Sequence, residues 1–128
     1  VVADEARARA YGRLAILGTK YLMTGPVYPS VLARHGLAFA IPDEHERERI
    51  NAIILTELVN GIFTEPSRRY FNAVIARLAD AGCDAAILGC TEIPLIVDPR
   101  DCPLPTLDST RLLARAALRH AIDTAVSR

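Results

Sequence analysis

The sequence predicts an α/β fold, a three-layer sandwich in which a short parallel sheet of three or four strands is flanked by helices. Three observations carry this. Short apolar runs alternate with longer stretches of helical period, as parallel strands joined by crossover helices do. The clearest run, Ala85-Ala86-Ile87-Leu88, has no polar alternation, so it reads as a strand covered on both faces. Glycines at 12, 36, 61 and 82 close successive helical stretches.

Taken in order, residues 4–11 read as the end of a helix stopped by Gly12. Leu14-Ala15-Ile16-Leu17 is the first strand. Gly25-Pro26 interrupts the chain, and residues 27–34 form a short helix with Gly36 as its stop. Residues 37–41 are the second strand. Asp43 then follows Pro42 as an N-cap, and Glu46 completes a capping box. Ile50, Ile53, Ile54 and Leu58 share one helical face until Asn60-Gly61 ends it. Thr64 caps the next helix, where Pro66 is tolerated in the first turn. Tyr70, Phe71, Val74, Ile75 and Leu78 form its buried stripe, and Gly82 stops it. The strand at 85–88 follows. Three prolines mark 98–105 as a loop, and residues 104–107 suit a short fourth strand. Asp108 or Ser109 caps a final helix running to about Val126. Its apolar residues, among them Leu112, Leu113, Leu118 and Ile122, cover much of the circumference and ask for two partners.

A chain of 128 residues makes one domain with a real core, and no stretch approaches the ~20 apolar residues of a membrane span. Fifteen basic and fifteen acidic side chains cancel, so no net field favours nucleic acid or an anionic membrane. Cys83, Cys90 and Cys102 are odd in number and lack Cys-x-x-Cys spacing, which argues against a disulfide framework or a zinc site. His35, His45 and His120 show no ligand spacing, so no metal is expected. Free thiols suit the reducing cytoplasm.

The chemistry concentrates in Gly89-Cys90-Thr91-Glu92, directly after the strand at 85–88. A glycine there lets the backbone turn and sets Cys90 at the carboxyl edge of the sheet, where open α/β sheets bind ligands. The thiol is then a nucleophile or an acid/base, or else a small buried hydrophobe.

Gly89-Cys90-Thr91-Glu92-Ile93-Pro94-Leu95 resembles the second-cysteine motif of the aspartate/glutamate racemase family, amino-acid racemases that need no pyridoxal phosphate. Leu14-Ala15-Ile16-Leu17-Gly18-Thr19 resembles the strand and Gly-Thr turn that open the second half of these enzymes. Tyr28, Pro42-Asp43, Glu57-Leu58 with Gly61, and Leu107-Asp108-Ser109-Thr110-Arg111 fall in family-like order. Glu92 stands where glutamate racemases usually have His, which fits an aspartate or broad-specificity branch.

The resemblance implies one half of the two-domain Asp/Glu racemase fold. Family members are roughly twice this length, with a first cysteine in the preceding half. The chain starts at Val1, without an initiator Met, and is expected to be the C-terminal half. Residues 1–107 would form the α/β domain, and residues 108–128 a helix packing toward the other half. The expected partners are a small amino-acid substrate and either that N-terminal half or a second copy. Cys90 would be one of two cysteines that exchange the α-proton, with no cofactor. Thr91 would offer its N–H and hydroxyl to the substrate carboxylate. Glu92 would orient the amino group or a neighbouring side chain. Thr19 would join the same cleft, unless it serves only as a turn hydroxyl. Cys83 lies at the opposite end of the strand and is assigned no role, and Cys102 is read as incidental. Two positions depart from the family. Leu22 stands where many members have Thr, and Val59-Asn60 where some aspartate racemases carry a basic residue; Lys20 is the only lysine. The alternatives are a related cysteine isomerase or decarboxylase on the same fold, and a binding module that lost the chemistry.

Overall fold

A computed structural model of the chain describes residues 1–126. Its elements are α1 (Val2–Ala8), β1 (Arg13–Leu17), α2 (Lys20–Thr24), α3 (Val27–Arg34), β2 (Ala38–Ala40), α4 (Glu44–Thr56), α5 (Glu65–Asp80), β3 (Ala85–Leu88), β4 (Thr106–Asp108) and α6 (Ser109–Val126). The four strands form one all-parallel sheet in the order β2-β1-β3-β4. β1 and β3 are its centre, paired from Leu14↔Ala85 to Leu17↔Leu88, and every residue of β3 is buried.

Strand alternation sorts the core into two layers. Ala15, Leu17, Ala86 and Leu88 face α4 and α5 through Ile50, Ile53, Ile54, Phe71, Val74, Ile75 and Leu78. Leu14, Ile16, Ala85 and Ile87 face the other way, onto Val2 and Ala6 of α1, Leu32 of α3 and Leu112 of α6. The expected three layers are present. Tyr70, placed in the buried stripe of α5, is only half-buried, and Arg49 lies 5.7 Å from its ring centroid.

The capping signals act as read. Asp43 accepts from the Glu46 N–H at 2.8 Å while the Glu46 carboxylate accepts from the Asp43 N–H at 2.9 Å. Thr64 accepts from the Ser67 N–H at 3.2 Å. Asp108, rather than Ser109, caps α6, accepting from the Arg111 N–H at 3.1 Å.

Several boundaries differ from expectation. α1 ends at Ala8, well before Gly12, because Ala10 takes a left-handed φ of 61°. The Ala10 and Tyr11 N–H groups then reach back to the Arg7 and Ala6 carbonyls. Gly82, at φ 101°, closes α5 with the same pair of bonds onto Ala79 and Leu78. An alanine in this conformation costs about 1–2 kcal/mol, so composition points to the wrong residue. Gly12 serves elsewhere: its N–H and that of Arg13 donate to the Asp84 carboxylate at 2.8 and 3.1 Å, tying the starts of β1 and β3 together. The fourth strand begins at Thr106, not 104. The single-turn helix α2 has only Met23 buried and so shows no apolar period to read.

Candidate functional site

The crossovers place the crevice. From β1 the chain passes through α3 on one face to β2, then through α4 and α5 on the other face to β3. The winding direction therefore reverses between β1 and β3, and their carboxyl ends open into the gap where such sheets bind ligands. Gly18-Thr19 leaves β1 there and Gly89-Cys90-Thr91-Glu92 leaves β3 there, so the four residues singled out in the sequence stand on two adjacent turns.

The two turns are locked to each other. The Gly89 N–H donates to the Leu17 carbonyl at 2.8 Å, continuing the ladder one residue past the strands. A Cβ on Gly89 would lie 2.8 Å from that oxygen and 2.7 Å from Leu22 Cδ2, and one on Gly18 would also lie 2.7 Å from Leu22 Cδ2. One leucine methyl thus occupies the space that both glycines leave, flooring the crevice. In the sequence Leu22 stands out only as a departure from the family's Thr.

Thr19 caps α2, its Oγ1 accepting from the Leu22 N–H at 3.4 Å. Thr19 thus acts as a turn hydroxyl, and this bond leaves its own proton unused. Cys90 is half-buried against the α4–α5 core. Burial pushes its thiol above the ordinary value, and the charge of Glu92 and its bond to the sulfur push the same way. Backbone N–H groups of Ile93 and Glu92 pull against this by donating to the sulfur. The resting form at neutral pH is the thiol. Thr91 is exposed, and Glu92 is half-buried beside Cys90.

The rest of the motif anchors the turn. Ile93 is fully buried, and its carbonyl accepts from the Ile96 and Val97 N–H groups at 3.0 and 2.9 Å. From α5, Arg68 Nε donates to the Ile96 carbonyl at 2.9 Å, while Arg68 also pairs with Glu65 at 2.7 Å. Sequence reasoning missed this clamp, since a lone arginine on a helix carries no signal. Glu57 is committed to the start of α5, accepting from Ser67 Oγ at 2.7 Å.

Thr91 also lines a mainly apolar cavity of about 560 Å³ between α1, α3 and α6, bounded by Val27, Tyr28, Val31 and Ser109. Ser109 Oγ donates to the Leu88 carbonyl at 3.0 Å, and burial raises the Tyr28 hydroxyl beside it. Cys83 is buried at the amino end of β3, and Cys102 is half-buried in the loop before β4. Burial raises both thiols. Lys20 Nζ is 3.4 Å from Glu48. Of the apolar residues of α6, Leu112 is buried, while Leu113, Leu118 and Ile122 are 61%, 62% and 52% exposed. No three His, Cys, Asp or Glu side chains among the described residues are grouped to hold a metal, and no helix there is long and apolar enough to cross a membrane.

A sequence profile of the Asp/Glu/hydantoin racemase family matches residues 1–117. A crystal structure of a Yersinia pestis protein assigned to the Asp/Glu racemases is similar at 36% identity and a TM-score of 0.90, over 94% of this chain and 53% of that one. An aspartate racemase homologue from Pyrococcus horikoshii OT3 is similar at 30% identity and a TM-score of 0.86, over 94% and 53%. An aspartate racemase from Picrophilus torridus, at 23% identity and a TM-score of 0.74 over 94% and 49%, shares the fold. The chain spans about half the length of the solved structures it matches.

Proposed function

The chain belongs to the Asp/Glu/hydantoin racemase family, and we propose that it supplies one catalytic half of a cofactor-independent amino-acid racemase. The observation that carries the reading is the placement of Cys90, half-buried on the turn after β3, at the crevice between β1 and β3. Racemisation removes the α-proton on one face and returns a proton on the other. In one direction a base outside this chain takes the α-proton, leaving the electron pair delocalised into the substrate carboxylate. Cys90 Sγ then donates its proton to the α-carbon and becomes a thiolate. The Ile93 and Glu92 N–H groups that donate to the sulfur stabilise that thiolate. In the other direction the same thiolate abstracts the proton. Thr91 and the Thr19 hydroxyl donate to the substrate carboxylate, where charge builds up. Glu92 faces the substrate ammonium and opposes premature ionisation of the thiol. No pyridoxal phosphate or metal enters this sequence, and free thiols fit a reducing cytoplasm.

The second cysteine comes from a preceding half-domain, which also covers the exposed face of α6. Two of the basic side chains that a side-chain carboxylate could use are already paired, Lys20 with Glu48 and Arg68 with Glu65. This favours broad specificity over strict aspartate specificity. The apolar cavity beside Thr91 supports a second reading, a hydantoin or an apolar amino acid as substrate.

The test uses the complete polypeptide that the gene encodes, with polarimetry and α-proton exchange in deuterated water on a panel of amino acids and hydantoins. Cys90→Ala is expected to lower turnover by ~10²–10⁴-fold. Near wild-type rates across the panel would overturn the assignment of this cysteine.

A further inference from the structure

We propose that the cavity along the outer edge of β4 is a binding site for a compact dianion, such as a phosphate group or a short dicarboxylate, separate from the β1–β3 crevice. The cavity has a volume of about 180 Å³, and its lining includes Arg9, Arg111, Arg115, Asp108, Pro94 and Pro99. Three arginines and one aspartate thus share the lining, in a chain whose total charge is zero, and among the described residues only Arg9 of the three is paired, with Glu5.

Among the described residues this arrangement is electrostatically unfavourable. Arg111 and Arg115 stand one turn apart on α6, where like charges repel. Arg111 also lies in the first turn of that helix, at the positive end of its dipole, where cations are disfavoured. Neither forms an ion pair among the described residues. Arg9 is held in place by Glu5 at 2.7 Å. The one acid in the lining, Asp108, has an oxygen engaged by the Arg111 backbone N–H at 3.1 Å. A ligand with two or more anionic oxygens converts this repulsion into attraction, and guanidiniums suit such ligands because each can donate in parallel. The surroundings favour a fixed site. β4 is the sheet edge, whose outward backbone groups lack a neighbouring strand. Pro94 and Pro99 stiffen the loop that contributes to the lining.

Calorimetric titration of the complete gene product with inorganic phosphate, and separately with succinate, tests the proposal. Saturable binding of either is expected, weakened roughly tenfold or more by Arg111→Gln with Arg115→Gln. Arg34→Gln on α3 is expected to change nothing. Binding of phosphate alone assigns the phosphate class, and binding of succinate alone assigns the dicarboxylate class. Far-UV circular dichroism checks the double variant; if its fold is lost, the exposed Arg115→Gln alone carries the test. No saturable binding of either anion, or binding equal in wild type and variant, overturns the proposal.

Discussion

Replacing Gly89 with alanine tests whether the Cys90 turn is fixed by backbone or by side chain. The new Cβ would stand 2.8 Å from the Leu17 carbonyl oxygen, which already accepts the Gly89 N–H at 2.8 Å. The turn can relieve that contact only by lifting away and stretching its own hydrogen bond. Overpacking costs about 1–3 kcal/mol, and the weakened bond adds about 0.5–1.5 kcal/mol. A loss of about 1.5–4.5 kcal/mol is expected. Gly18→Ala is the control, because its Cβ would come under 3.0 Å only from Leu22 Cδ2, at 2.7 Å. A terminal methyl can swing aside for about 0.5–1.5 kcal/mol. The entropy gained by removing a glycine from the unfolded chain is common to both and cancels in the comparison. Urea unfolding of the two single variants, Leu22→Ala and the two doubles completes the cycles. Leu22→Ala should absorb most of the Gly18→Ala cost but only part of the Gly89→Ala cost, since the carbonyl contact stays. Full rescue of Gly89→Ala by Leu22→Ala, or a Gly18→Ala cost equal to that of Gly89→Ala, would refute the reasoning.

Glu92→Gln should shift the alkylation profile of Cys90 to lower pH, read by peptide mass spectrometry to separate it from Cys83 and Cys102. Burial raises the thiol first and the Glu92 charge raises it further, so removing the charge leaves burial opposed by the Ile93 and Glu92 backbone N–H groups. At fixed alkaline pH the variant should react faster, and an unchanged or upward-shifted profile would show that the sulfur does not feel Glu92. The 128-residue chain by itself should self-associate through the exposed leucines and isoleucine of α6. Leu118→Gln with Ile122→Gln should reduce that association in light scattering, whereas a wild-type chain monomeric at all concentrations would refute the idea.

The layers and the site were legible for different reasons. Continuous apolar runs can be satisfied only between two covering layers, so Ala85-Ala86-Ile87-Leu88 announced a central parallel strand. Its Gly-Cys-Thr-Glu sequel then had to stand at the carboxyl edge. Where local chemistry alone decides a boundary the reading also succeeded, as at Asp43 with Glu46 and at Thr64. It failed where a residue adopts a conformation that its type disfavours. Ala10 closes α1 in a left-handed conformation because Val2, Ala3 and Ala6 are buried and Gly12 is held by Asp84, so packing on both sides outweighs the local cost.

The floor of the crevice shows a second kind of illegibility. Gly18 and Gly89 are 71 residues apart, and each alone reads as a turn glycine. That both lack a Cβ for the sake of one Leu22 methyl is a relation among three segments, visible only once β1 and β3 are paired from Leu14↔Ala85 to Leu17↔Leu88. The same pairing gives Thr19 its double character. As a helix cap it needs only the N–H three residues on, yet β1 delivers it to the turn facing Cys90. A hydroxyl that accepts from the backbone still has its own proton to donate. Structural duty and availability to a ligand are compatible in this one side chain, so neither excludes the other.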